Sequence, residues 1–167
     1  MASTPNTAVA FQPFFKRVPQ EGRHDDTFAV IATLTGKSLD SVFKQAEALG
    51  LPKTGPFFPF IDSDMIAKLL VSHGLVATVW KECTSYHDLG SEVAIACVDY
   101  NADWEIGRCV LYHRNTAAGG KTTQPYVIDP YPHADSKLHL RVGTTELAKM
   151  LPSWYIGVTQ ANKPAGK

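Results

Sequence analysis

Three kinds of side chain in this sequence could do chemistry, and their spacing separates them. A thiol attacks a carbonyl once it is ionised and has a proton acceptor beside it, and the chain carries Cys83, Cys97 and Cys109. They form neither a CxxC pair nor an even-numbered disulfide framework. Cys97 and Cys109 lie in apolar stretches, where a cysteine behaves as a small buried hydrophobe. An imidazole and a carboxylate can share a proton, and His113 stands 16 residues before Asp129, which invites a His–Asp dyad. The run His24-Asp25-Asp26 offers metal-ligand types. Consecutive residues seldom converge on one ion without a second segment, and no HExxH or paired-histidine spacing supplies one. No metal and no cofactor are expected.

The elements that must position these groups follow from composition and pattern. A chain of 167 residues can bury one sizeable core without a disulfide or metal staple. Its 44% hydrophobic and 19% charged residues exclude a disordered tail, a collagen or a coiled coil. Basic and acidic residues balance at 16 each, so no long-range positive field gathers nucleic acid or anionic lipid. No apolar run approaches the roughly 20 residues of a membrane span. The N-terminus lacks the charged and apolar regions of a Sec-type signal, so the expected location is the cytoplasm, or outside by a signal-independent route.

Residues 26–35 (DTFAVIATLT) are apolar nearly all round and predict a helix inside the protein, ended by Gly36. Ser38 caps a second helix with apolar residues at Leu39, Val42, Phe43, Ala46 and Leu49. Asp62 or Ser63 caps a third, which stops at Gly74. Between them, 52–60 (PKTGPFFPF) holds three prolines and must be irregular. Strands are expected at 76–81, 93–100, 109–113, 126–129 and 154–158, with an exposed loop at 114–124 and a short helix capped by Thr144 or Thr145 and running through Met150. Helices first and strands afterwards is the pattern of an α+β domain, N-terminal helices packed on one antiparallel sheet. The domain is expected to span 14–159, with flexible termini at 1–13 and 160–167.

The segment Gln20-Glu-Gly-Arg-His-Asp25-Asp26-Thr resembles the start of papain-like cysteine peptidases, most closely the bacterial C39-like branch, the bacteriocin-leader peptidases. In that family a Gln stands six residues before a Cys that opens a buried helix, as Gln20 stands six before Asp26. The stretch LTGKSLDSVFKQAEALG is similar to the family's Thr-Gly turn and second helix. Gly107-Arg108 and Asp129-Pro130 resemble its Gly-His and Asp-Pro strand motifs. The resemblance implies a papain-like fold over about 18–158. It also implies a remnant site of Gln20, Asp26, Arg108 and Asp129, with Asp26 at the Cys position and Arg108 at the His position.

Those two departures remove the chemistry. A carboxylate is a far poorer nucleophile toward an amide than a thiolate, and a guanidinium cannot accept and return protons near neutrality. The resemblance therefore implies a catalytically inactive domain. Asp26 and Arg108 are expected to pair as a permanent salt bridge, an arginine fork joining Asp26 to Asp129. Plainer readings stand beside this one: Asp26 as a helix N-cap, Gln20 as a solvated loop residue, Arg108 as a surface charge and Asp129 as a turn former. Counted along the strand, His113 lies five residues past the family's His position, roughly 17 Å away, and is expected to be a partly exposed strand-end residue. Strand alternation is expected to turn Cys109 away from Asp26 and Asp129.

The expected function is recognition of an extended peptide or protein in the remnant cleft. Phe57, Phe58 and Phe60 are read either as a flap over the sheet or as a docking lip. The alternatives are an active hydrolase or acyltransferase built on Asp26, Cys109 or His113, and a secreted effector or antigen that uses the scaffold for binding. The sequence does not address the oligomeric state.

Overall fold

Residues 26–35 have no polar face, and the protein buries them from every side. In the computed structural model, which describes residues 11–53, 61–114, 124–132 and 135–161, α1 (Asp26–Thr35) buries every residue from Thr27 to Leu34. Gly36 ends it in the left-handed region at φ 68°, its N–H returning to the Ala32 carbonyl, a conformation that glycine adopts without a Cβ clash. α2 (Leu39–Ala48) starts where the Ser38 hydroxyl accepts the Ser41 amide at 3.1 Å. It packs Phe43 on Phe28 of α1, ring centroids 4.9 Å apart. α3 (Ser63–Val71) is capped by Asp62, which accepts the Met65 amide at 2.9 Å, and it buries Ile66, Leu69 and Leu70.

The strands among the remaining described residues form one sheet. Its strands are β1 (Leu75–Ala77), β2 (Lys81–Glu82), β3 (Val93–Asn101), β4 (Ile106–His113), β5 (Tyr126–Ile128), β6 (Leu140–Val142) and β7 (Trp154–Gln160), with α4 (Thr144–Leu147) before β7. All pairings are antiparallel in the order β1-β7-β3-β4-β5-β6, and β2 also pairs with β7. The α+β architecture read from the sequence is therefore the one observed.

Alternation along the strands builds two cores. Ile95, Cys109, Leu111, Ile128 and Ile156 face α1–α3. Val98, Val110, Tyr112, Val127 and Tyr155 face a second layer formed by Tyr86, Leu89, Leu147 and Met150. That second layer comes from connections and from the short helix expected near Thr144 rather than from a long helix.

Several expectations need correction. The single strand at 76–81 is broken after Ala77. Thr78 instead fastens to β7, exchanging two bonds of 2.9 Å with the Gly157 amide and carbonyl. β6 was not anticipated. α4 is preceded by Gly143 at the cap position, with no side-chain cap from either threonine, and it stops short of Met150. β7 runs through Gln160, and the Ala161 amide bonds the Gly74 carbonyl at 2.9 Å, past the boundary drawn at 159. Phe11, assigned to the N-terminal tail, packs edge-on against Tyr126. The remaining tail residues, and most of the 52–60 and 114–124 loops, lie outside the described residues.

Candidate functional site

The chain before α1 is tied to the end of β5, and this delivers the helix N-terminus to the sheet. The Arg17 Nε donates to the Asp129 carbonyl at 2.6 Å, the Val18 amide to Thr33 Oγ1 at 3.0 Å, and the Gln20 amide to the Pro130 carbonyl at 2.9 Å. Gln20 is only 4% exposed, and its Nε2 donates to the Gly22 carbonyl at 2.9 Å, so it is no solvated loop residue. Asp25, not Asp26, occupies the cap position. Its Oδ2 does not cap the helix; it accepts the Glu21 and Gly22 amides at 3.0 and 2.9 Å. Its Oδ1 is buried and has no hydrogen-bond partner.

Asp26 is the first residue of α1, and its Oδ2 accepts the Cys109 amide of β4 at 2.5 Å. The expected Asp26–Arg108 salt bridge does not form. Nη1 of Arg108 lies 2.6 Å from both oxygens of Asp129, and its Nε lies 2.6 Å from Asp99 Oδ2. The guanidinium also stands 5.9 Å from the Tyr131 ring centroid, with Nη2 3.4 Å from Met150 Sδ. Burial alone lowers the Arg108 pKa, but the Asp129 and Asp99 carboxylates more than offset this and raise it. A fork across Asp129 and Asp26 was expected; the fork spans Asp129 and Asp99.

A β-bulge explains the difference. The register of β3 against β4 shifts between Val98 and Asn101, and Asp99 takes φ 51°. A bulge re-aims a side chain, and here it swings the Asp99 carboxylate over to Arg108. Nothing local in the sequence signals this. Gly107, next to Arg108, is required by close approach: a Cβ there would lie 2.5 Å from Cys97 Sγ and 2.8 Å from the Val98 carbonyl.

Burial works against a negative charge on Asp26. Burial raises its pKa, opposed by the amides of Cys109, Asp26 and Thr27. A carboxyl whose folded pKa lies above its unfolded value adds most stability below the unfolded pKa. That contribution is lost as pH rises through the folded pKa. Asp26→Asn is therefore expected to be more stable than the parent at pH 7, by about 0.5–2 kcal/mol. Urea titrations at a series of pH values should show the gap closing as pH falls toward 3.8, the ordinary value for Asp.

The rival sites do not assemble. Cys109 faces α1 rather than away from it: Thr27 Oγ1 donates to its Sγ at 3.3 Å. The expectation failed because Arg108, not Cys109, points to the opposite face with Asp129. Burial and then the charge of Asp26 push the Cys109 thiol well above its usual range, the reverse of what activates a nucleophile. His113 is 6% exposed, not a partly exposed strand-end residue. Its Nδ1 accepts from the Tyr126 hydroxyl at 2.7 Å, while that oxygen accepts the Phe14 and Phe15 amides at 3.0 and 3.3 Å. Burial lowers the His113 pKa, and the carboxylate of Asp129 is committed to Arg108. Asp25 and Asp26 bond to different backbone segments, and no group of three or more metal-ligand types forms among the described residues. Phe57, Phe58 and Phe60 lie outside the described residues.

Two cavities of about 410 Å³ each meet at Asp26. One is lined by Gln20, Arg23, Arg108 and Tyr131, the other by Trp80, Cys97, Tyr100, Glu105 and Trp154; both share His24, Asp26, Ile106 and Gly107. Asp99, Glu105 and the two tryptophans were missed from the sequence. The turn residues of YNADWEIG mark the 101–105 hairpin that carries Glu105, but no sequence signal points to the other three.

Comparison with known proteins places this fold. No family model matches the chain, and no curated protein matches its sequence. Among solved structures it is similar to a double glycine motif protease from an AMS/PCAT transporter, determined in complex with the leader peptide. The two share 12% identity at a TM-score of 0.53, covering 87% of this chain and 91% of that one. It is also similar to the peptidase domain of Streptococcus ComA, a bifunctional ABC transporter involved in quorum sensing (13% identity, TM-score 0.49, 87% of this chain and 98% of that one). The likeness to the AMS/PCAT protease gives the chain the papain-like fold of the C39 peptidase domains. Among the described residues no helix is long and apolar enough to cross a membrane.

Proposed function

We propose that this chain is a catalytically inactive C39-like domain that binds a peptide or protein segment in the cleft on either side of Asp26. The observation that carries the reading is the state of the α1 N-terminus. Where the resemblance puts a reactive thiol, Asp26 is bonded to the Cys109 amide. Where it puts a proton shuttle, Arg108 is held by Asp129 and Asp99. The AMS/PCAT protease was determined with its leader peptide, and the cleft here keeps two cavities of a size that takes side chains.

The thiols provide the test. Burial pushes Cys83 up to about 11 and Cys97 up to about 12, with nearby carboxylates adding to both. With Ellman's reagent at pH 7, the native protein is expected to react at less than about a tenth of the rate of free cysteine, because only the thiolate attacks. All three cysteines should react after unfolding. A fast-reacting thiol in the folded protein, or cleavage of a double-glycine leader peptide by it, would overturn the inactive reading.

Phe57, Phe58 and Phe60 extend the proposal as an aromatic lip, supported by Ile61, which follows them in the chain and lines the cleft. Phe57→Ser with Phe58→Ser is expected to weaken peptide binding by about tenfold or more, as loss of aromatic anchors does, with an unchanged circular dichroism spectrum. Unfolding of that variant would instead assign these residues to the core.

A further inference from the structure

The two cavities beside Asp26 differ in charge. The one on the Gln20 side holds the guanidinium of Arg108, and Arg23 also lines it. The other shares Asp26 and His24 with it and adds Glu105 among Trp80, Tyr100 and Trp154, and among the described residues no Lys or Arg lines it. Because the bulge gives Arg108 to Asp99 and Asp129, the Asp26 carboxylate is met by the backbone amides of Cys109, Asp26 and Thr27 and by the Cys109 thiol, and not by a guanidinium. The α1 dipole offsets only about half a charge, and Glu105, which also lines this cavity, adds a whole one. Charge and walls together describe a receptor for a flat cation.

We propose that this cavity takes the arginine side chain of an extended peptide, its guanidinium stacked on Trp80 and Trp154 and paired with Asp26 and Glu105. This rests on the peptide-binding reading above and names the side chain that the cleft selects. Arginine suits it better than lysine. A guanidinium is planar, more weakly hydrated, stacks on aromatic faces, and presents a donor fork that matches carboxylates. The Tyr100 and Trp154 rings lie edge to face, 6.4 Å between centroids. On the β3–β4 hairpin that carries Glu105, Trp104 is 74% exposed and Ile106, which lines the cavity, is half exposed, apolar surface for the residues flanking the arginine. Glu105 itself holds φ 51°, a conformation that non-glycine residues keep where the surroundings impose it.

The experiment uses the full chain and blocked pentapeptides Ac-Ala-Leu-Xaa-Leu-Ala-NH2 with Xaa as arginine, citrulline or lysine. Binding is followed by calorimetry and by the indole N–H resonances of the protein. Citrulline keeps the shape of arginine without its charge. The arginine peptide is expected to bind at least tenfold more tightly than the citrulline and lysine peptides and to shift the Trp80 and Trp154 indoles. Asp26→Asn and Glu105→Gln should each erase most of the advantage of the arginine peptide over the citrulline peptide. Glu105→Gln, on the surface, keeps the test open if Asp26→Asn alters folding. Equal affinity for arginine and citrulline peptides, or for arginine and lysine peptides, overturns this assignment while the peptide-binding reading stands. Binding by none of the three overturns both.

Discussion

Arg108→Leu is expected to destabilise the protein by about 2–3 kcal/mol at neutral pH, and to lower its melting temperature by roughly 4–12 °C for a domain of this size. Asp129 is only 3% exposed on its side chain. Its carboxylate accepts from Arg108 Nη1 and, at 3.0 Å, from the Tyr131 amide. Without the guanidinium, the buried carboxylate keeps, among the described residues, the Tyr131 amide as donor and only the charge of Arg17, whose Nε is bonded to the Asp129 carbonyl. Deleting one member of a buried pair costs about 3–5 kcal/mol when the site is fully closed. Arg108 retains 30% side-chain exposure, so water reaches the site and the cost falls to the bottom of that range or just below it, about 2–3 kcal/mol. The same reasoning separates the two halves of the clamp. Asp99 is 63% exposed, and Asp99→Asn should cost less than about 1 kcal/mol, the range of a solvated ion pair. Arg108→Leu with Asp129→Asn together should cost clearly less than the sum of the two single changes, because each alone strands the other. Chemical denaturation of the four variants checks this. An Arg108→Leu effect within 0.5 kcal/mol of the parent would show that the clamp carries no structural weight.

The contrast between what the sequence revealed and what it hid follows the range of the forces involved. α1, α2 and α3 were legible because their signals are local: an apolar circumference, Ser38 and Asp62 three residues before the amides they accept, Gly36 at a left-handed turn. The papain-like fold was legible because Gln20, the buried helix, Gly107-Arg108 and Asp129-Pro130 keep the order that the fold requires. The partners of Arg108 were not. Which carboxylate an arginine takes depends on the Val98–Asn101 bulge, a property of how two strands pair and not of either strand alone. The same holds for Cys109. Alternation guarantees that residues 108 and 109 point to opposite faces, but only the tertiary register says which of the two meets α1. His113 was misplaced for a related reason. Its burial depends on the Phe14–Phe15 segment, which returns from over a hundred residues away to close on Tyr126.

Asp26→Cys combined with Arg108→His is expected to create a thiol that iodoacetamide alkylates at pH 6 about tenfold faster than the thiol of Asp26→Cys alone. Residues 26 and 108 line one cavity, and the site supplies two further things that such a pair needs. The new thiol would stand at the α1 N-terminus within reach of the Cys109 amide. Asp129 would remain in place to orient an imidazole, as it now holds Arg108. An unperturbed thiol of pKa about 8.5 is about 0.3% ionised at pH 6, and one lowered to about 6 by an imidazolium is half ionised, a gain of roughly 150-fold. Intrinsic nucleophilicity falls with pKa at a slope of about 0.4–0.5, which removes roughly a factor of 13 over that interval. The net is about tenfold. Adding Asp129→Asn should return the rate toward that of the single variant, because the ring loses the carboxylate that fixes its tautomer. The three native cysteines, all with raised pKa values, contribute only a slow background. If the double variant reacts no faster than Asp26→Cys, residue 108 does not face residue 26 as a proton shuttle must. The inactive site would then be a geometry that never matched the peptidases, rather than one that two substitutions had emptied of its chemistry.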